Sequence, residues 1–301
     1  IIDEQHRFGV KHRKLLIEKG KSPQVLAMTA TPIPRTLSIT IHGDMDISII
    51  DELPKNRLPI KTNLVYPKKI DTIYEFIRKE MTNGGQCFIV YPLIDESEKL
   101  DLEAAKSGYE KLQTIFKDFK VGYINGKMNK DKIDEQMIKM NKGEINCLVA
   151  TTVIEVGINI PNATVIMVEN AERFGMTQLH QLRGRIGRGE KQSYCFFVQR
   201  KKTPNSDKRL SIMKNTLDGF IISDEDLKMR GPGDFFGTKQ HGFIKSKVVD
   251  FSSDGAIIRR ARQQAFDLII KDPLLNETKH KKIKNVFKNK YHHMLEFVKI
   301  G

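Results

Sequence analysis

Between residues 60 and 200, short β-prone apolar runs alternate with stretches of helical periodicity, and this alternation constrains the fold more than any other feature. The runs fall at 63–66, 87–91, 121–124, 147–150, 164–168 and 195–198. Between the first two, residues 70–81 place Ile70, Ile73, Phe76 and Ile77 on one helical face. Residues 129–142 carry Ile133, Met137, Ile138 and Met140 among charges in the same way. Strands joined through helices predict a mostly parallel sheet covered by helices on both faces, an α/β fold.

The flanks read differently. Before about residue 55 there is one apolar fragment, Ile1-Ile2, then a helical stretch at 9–19 and one strand candidate at 25–29. That is too little for a sheet of its own, so it reads as the trailing edge of another domain. After residue 200 the strand pattern stops. Thr203-Pro204-Asn205-Ser206 offers loop and N-cap chemistry before a helix at 207–216. Arg230-Gly231-Pro232-Gly233 breaks regular structure, and two more helices are expected at 255–271 and 282–298. The expected domains are 1–54, 55–200 and 201–301.

Several function classes recede on composition. No apolar run approaches the roughly 20 residues that cross a bilayer. The opening Ile1-Ile2-Asp3-Glu4 has neither an initiator Met nor signal-peptide order, and reads as the middle of something larger. Cys87, Cys147 and Cys195 each sit in an apolar run without metal-ligand spacing, as small buried hydrophobes of a reducing compartment do. The excess of 51 Lys+Arg over 37 Asp+Glu, net +14, has two readings. A polyanionic partner is one, since each neutralised phosphate releases counterions. A Lys-rich solvated surface is the other, and it is the default for the C-terminal run of Lys279, Lys281, Lys282, Lys284, Lys288 and Lys290.

Three segments carry chemistry. Asp3-Glu4 directly after an apolar run suits phosphoryl transfer, with Asp3 holding Mg²⁺ and Glu4 orienting the attacking water. An exposed acidic pair is its bland alternative. Thr29-Ala30-Thr31-Pro32 follows a strand and can relay hydrogen bonds, or is an ordinary strand-to-helix turn with Pro near the first helical position. The most specific segment runs from Gln181 through Leu182-Arg183-Gly184-Arg185-Ile186-Gly187-Arg188 to Gly189. Glycine costs a helix interior about 1 kcal/mol against Ala, yet lets a backbone approach a ligand. Arginine forks match phosphate oxygens.

Asp3-Glu4-Gln5-His6, Thr29-Ala30-Thr31-Pro32, Ala150-Thr151-Thr152 through Gly157, and Gln181 to Arg188 resemble, in order and rough spacing, motifs II, III, V and VI of superfamily 2 helicases. Met28 to Leu37 is similar to the branch containing RecG and the transcription-repair coupling factor Mfd. Residues 43–54 and 91–98 are similar to the RecG family in particular, and 226–242 resembles the translocation motif common to both.

The resemblance implies a RecA-like P-loop-NTPase helicase lobe, a remnant of the first lobe and a helical C-terminal extension. It implies that Arg185 and Arg188 reach ATP phosphates, Arg188 as the finger. Gln5, His6, Thr29, Thr31, Glu155, Gly157 and Gln181 would serve nucleotide binding and coupling. Thr151 and Thr152 would meet DNA, and Arg209, Arg230 and Gln240 would form the translocation lever. The implied cofactors are ATP and Mg²⁺. The implied partner is branched double-stranded DNA (replication forks, Holliday junctions), acted on by a monomer in a bacterial-type cytoplasm at the nucleoid, with no membrane. Two departures stand out: Gly157-Ile158-Asn159 has Asn where the family usually has Asp, and the sequence holds no Gly-x-x-x-x-Gly-Lys-Ser/Thr loop. The piece alone is therefore expected to be inactive. An Mfd-like translocase and a non-catalytic DNA-binding module are the alternatives.

Overall fold

The structure is a computed structural model that describes residues 1–4, 15–16, 19–20, 23–30, 48–50, 52, 54, 57–93, 98–151, 160–230 and 254–290. The chain divides into two compact units, Asp51–Ile222 and a second made of Ile1–Ile50 with Ser223–Gly301.

The first unit is built on six parallel strands: β1 (Lys61–Val65), β2 (Gln86–Val90), β3 (Val121–Ile124), β4 (Cys147–Ala150), β5 (Ala163–Val168) and β6 (Tyr194–Val198), in the order β1-β6-β5-β2-β4-β3. Every residue of β2, β4 and β5 is buried, because helices cover both faces. That is why these strands read as unbroken apolar runs. Only β1 and β3, at the two edges, alternate in exposure. The connections are α1 (Ile70–Thr82), α2 (Glu98–Ile115), α3 (Lys130–Asn141) and α4 (Met176–Arg183).

One core layer packs Tyr74, Ile77 and Met81 of α1, Leu112 of α2 and the following Phe116 against Cys87, Ile89, Val149 and Met167 of the sheet. Alternate strand residues such as Phe88, Leu148, Ile166 and Phe197 point the other way. In β2, Gln86 is the buried polar exception. Its Nε2 donates to the carbonyls of Met140 and Ile145, both at 2.6 Å, tying the strand to the α3–β4 connection. The three cysteines are free and buried.

After β6 the chain forms α5 (Pro204–Asn215), which packs beside β1 and α4. Thr203 caps it, its hydroxyl accepting from Ser206 N–H at 3.1 Å, and Pro204 occupies the first turn. The helix thus begins three residues before the expected 207, since Pro needs no partner for its missing N–H. Helix α6 (Gly219–Arg230) spans the division between the units. The second unit also contains α7 (Gly255–Lys271) and α8 (Lys281–Lys290). At the start of the chain, Ile2 bridges Ala27 in parallel. Of the expected strand at 25–29, this bridge is the part seen among the described residues.

Candidate functional site

Helix α4 starts at Met176, where Gln178 Oε1 reaches back to accept from Gly175 N–H at 3.1 Å. Leu179 and Leu182 bury inward, and Gly184 N–H closes the last turn on the His180 carbonyl at 3.0 Å. The three arginines then separate. Arg183 is 2 % exposed and points into the protein, donating to the Met213 carbonyl at 2.6 Å and contacting His180 Nδ1 at 3.2 Å. It fastens α4 to the C-terminal end of α5, whose carbonyls offer it partial negative charge. Arg185 is half-buried and Arg188 is exposed.

The loop that carries these two has a shape only glycine permits. Gly187 has φ +69°, and a Cβ there would stand 3.0 Å from Ile60. A Cβ on Gly189 would stand 2.5 Å from the Pro161 carbonyl oxygen. Arg57 lies alongside, its Nε donating to the Gly187 carbonyl at 2.9 Å and its Nη2 to that of Ile186 at 3.4 Å. Desolvation, and then the like charge of Arg57, hold the Arg188 pKa below the ordinary arginine value. Ile60 and Pro161 precede β1 and β5, so the arginine loop sits at the N-terminal edge of the sheet.

Thr151 lies at the opposite edge, directly after β4. It is fully buried, and its hydroxyl has no partner among the described residues. A buried hydroxyl of this kind costs free energy unless something supplies a bond. The stretch 152–159, outside the described residues, joins Thr151 to the Ile160-Pro161 end beside the arginine loop.

A charged framework follows β5 at that same C-terminal edge. Glu169, 1 % exposed, takes a bidentate pair from Arg200 at 2.9 and 3.1 Å. Arg173 makes a second fork to buried Asp101 at 2.5 and 3.0 Å. Glu172 accepts from the backbone N–H groups of Arg200 and Lys201. Arg209, on α5, donates to the carbonyls of Glu172 at 2.7 Å and Phe174 at 3.3 Å. Burial, reinforced by Glu169, pushes the Tyr74 phenol up to about 12 and Tyr91 higher still. Sequence reasoning missed Asp101, Glu169, Arg173, Arg200 and Arg57. Only Glu169 left a sequence signal, as an acid closing a fully apolar run.

In the other unit, Ile2 N–H donates to the Leu26 carbonyl and Met28 N–H to the Ile2 carbonyl, both at 2.8 Å. Asp3, Glu4 and Thr29 therefore leave the bridge at the same end. Asp3 Oδ1 accepts from Glu4 N–H at 2.8 Å, and Glu4 is held at φ +49°. Gln5, His6, Thr31, Thr152, Glu155, Gly157, Asn159 and Gln240 lie outside the described residues, as does the side chain of Arg230. Asp272, Glu277 and His280 bring potential metal-ligating atoms within 4.8 Å of one another. The Asp272 oxygens, however, already accept from Asn276 N–H, Glu277 N–H and His280 Nδ1, which accounts for them as a local turn lock. Among the described residues no helix is long and apolar enough to cross a membrane.

Two family models match the chain: the helicase conserved C-terminal domain over residues 68–190, and the ATP-dependent DNA helicase RecG, domain 3, C-terminal, over 216–300. The chain is 46% identical over 287 residues to the ATP-dependent DNA helicase RecG of Synechocystis sp., covering 95% of this chain and 34% of that protein. It is 48% identical over 281 residues to that of Bacillus subtilis, covering 93% of this chain and 41% of that one. A solved structure of RecG bound to a three-way DNA junction superposes with a TM-score of 0.67 at 43% identity, covering 85% of this chain and 33% of that one. The parallel sheet with its covering helices is thus the RecA-like lobe of these helicases. The chain spans between 34% and 41% of the length of the two curated relatives just described.

Proposed function

The chain belongs to the RecG family of ATP-dependent DNA helicases, and from that premise we propose that it acts as the C-terminal part of a motor that couples ATP hydrolysis to translocation on double-stranded DNA. Its partners would be branched duplexes, replication forks and Holliday junctions, met in recombination and repair by a monomer in the bacterial cytoplasm. Residues 1–54 would belong to the first motor lobe, 55–200 to the second, and 201–301 to the translocation hairpin and helical extension.

The observation that carries this reading is the arginine loop: two arginines on a glycine-shaped turn, beside a third cation, Arg57. Like charges gathered there favour an anion of several charges, such as a nucleotide phosphate chain. ATP with its Mg²⁺ would supply the phosphoryl group to be transferred. Arg188 would act as the finger and Arg185 as its neighbour on the phosphates, with Gln181 on the helix turn before them. Asp3 would hold the metal ion and Glu4 would orient the water, which fits carboxylates leaving one end of a bridge beside Thr29. Gln5, His6, Thr31, Glu155 and Gly157 would couple nucleotide state to movement. Thr151, directly after β4, and Thr152 would meet DNA. Arg209, Arg230 and Gln240 would transmit lobe movement to duplex DNA.

The test is ATP hydrolysis by the full-length protein on forked, linear duplex and single-stranded DNA, with Arg188→Ala in parallel. Fork DNA should stimulate most, and Arg188→Ala should lower stimulated turnover on the order of 10³-fold. Near-normal turnover in that variant would defeat the site assignment. Stimulation by single strands alone would defeat the duplex reading.

A further inference from the structure

We propose that Arg57, in the segment entering β1, is a positioning residue for the arginine loop: its forked guanidinium grips the carbonyls of Ile186 and Gly187 and so fixes where Arg188 stands. The proposal rests on the reading that Arg188 serves ATP hydrolysis.

The geometry is specific. Nε donates to Gly187 at 2.9 Å and Nη2 to Ile186 at 3.4 Å, two adjacent carbonyls on the turn immediately before Arg188. The gripping segment is itself anchored. Arg57 N–H donates to the Pro54 carbonyl at 3.0 Å, and Lys61 N–H to that of Ser193 at 3.0 Å. Gln192 Nε2 donates to the Pro59 carbonyl at 2.8 Å. Residues 57–61 are thereby zipped to 186–193, with Ile60 filling the space that glycine leaves at 187.

A cation carries a cost in this place. Arg57 repels Arg188, whose pKa is depressed partly for that reason. A neutral amide would bond a carbonyl without that penalty. The guanidinium offsets that repulsion by its shape, since one rigid fork spans two adjacent carbonyls at once and acts on the anion through where it holds Arg188. Lysine could carry the charge but has no rigid fork to span two carbonyls.

The experiment is a double-mutant cycle in the full-length protein: Arg57→Ala, Arg188→Ala and both together, with Arg57→Lys and Arg57→Gln beside them. DNA-stimulated hydrolysis and thermal unfolding are read for each. Arg57→Ala is expected to lower kcat on the order of tenfold while KM for ATP moves less than about threefold, a positional loss rather than a binding loss. Added to Arg188→Ala it should do nothing further, since residues acting as a unit are not additive. Arg57→Lys should recover little, and Arg57→Gln, which keeps a donor for one carbonyl, should fall between. Should Arg57→Ala lower the melting temperature by more than a few degrees, the Lys and Gln variants carry the comparison. Full rescue by Lys would overturn the fork, and losses that multiply in the double variant would overturn action through Arg188. Wild-type kcat in Arg57→Ala beside an inactive Arg188→Ala would sink this inference alone. Normal turnover in Arg188→Ala would sink the functional reading beneath it.

Discussion

Arg183 and Arg188 stand five positions apart and meet opposite surroundings. Arg183 is held in the core, where its donors find the Met213 carbonyl and the His180 ring. Its guanidinium stays charged, so His180 must be neutral to accept from it. Burial first, and then the Arg183 charge, push the His180 pKa down to about 4. An unfolded chain takes up that proton near 6.5. Between those values the unfolded state binds the proton and the folded state refuses it, so stability falls as pH drops from about 6.5 to about 4 and is unaffected above. The contribution is at most about 3 kcal/mol. Urea midpoints at pH 4.5 and 7 for the native chain and for His180→Gln, whose amide oxygen still accepts, isolate it. An equal acid shift in both would remove His180 as the cause.

At the scale of the element, the stretch Glu169 to Phe174 is held by three arginines from three places: Arg200 after β6, Arg173 within it and Arg209 on α5. Arg200→Ala would strand a carboxylate that is 1 % exposed. Breaking a buried pair from one side costs about 3 to 5 kcal/mol, and the partial exposure of Arg200 places this case near the lower bound. Adding Glu169→Gln should return part of the loss in a denaturant titration. No recovery would mean that Arg200 acts through packing alone. These clamps were invisible in the sequence because each joins residues at least thirty positions apart. The strands were legible for the opposite reason: β2, β4 and β5 are buried on both faces and write their burial directly as apolar runs. Helix α2 went unmarked because its polar sequence, Glu98 to Ile115, buries among its described side chains only Asp101, Ala105 and Leu112. Of the candidate site, Arg185 and Arg188 announced themselves through their glycines. Arg57 lies in a Pro-flanked stretch with no periodicity, and only its contacts distinguish it.

For the whole molecule, the net charge of +14 gives the two readings of the basic surface a common test. If the surface tracks a DNA backbone, the logarithm of affinity should fall linearly with the logarithm of salt, by roughly 0.9 per phosphate engaged. Five contacts would give a slope of about −4.5. Fluorescence anisotropy of this chain with labelled duplex between low and physiological salt measures it directly. A slope near zero would assign the lysines to solvation. Such charge acts over the Debye length and sets how fast DNA arrives rather than where it is gripped.

The contact of Gly189 with Pro161 is a joint without padding. Gly189 meets the Pro161 carbonyl with no side chain between them, in a space that even one methyl group would overfill. A joint padded by a long side chain has play, since the first part of any push is lost in turning a rotamer. Here there is nothing to turn. A shift of the backbone at Pro161, where the chain enters β5, therefore reaches the arginine loop at Gly189 without backlash.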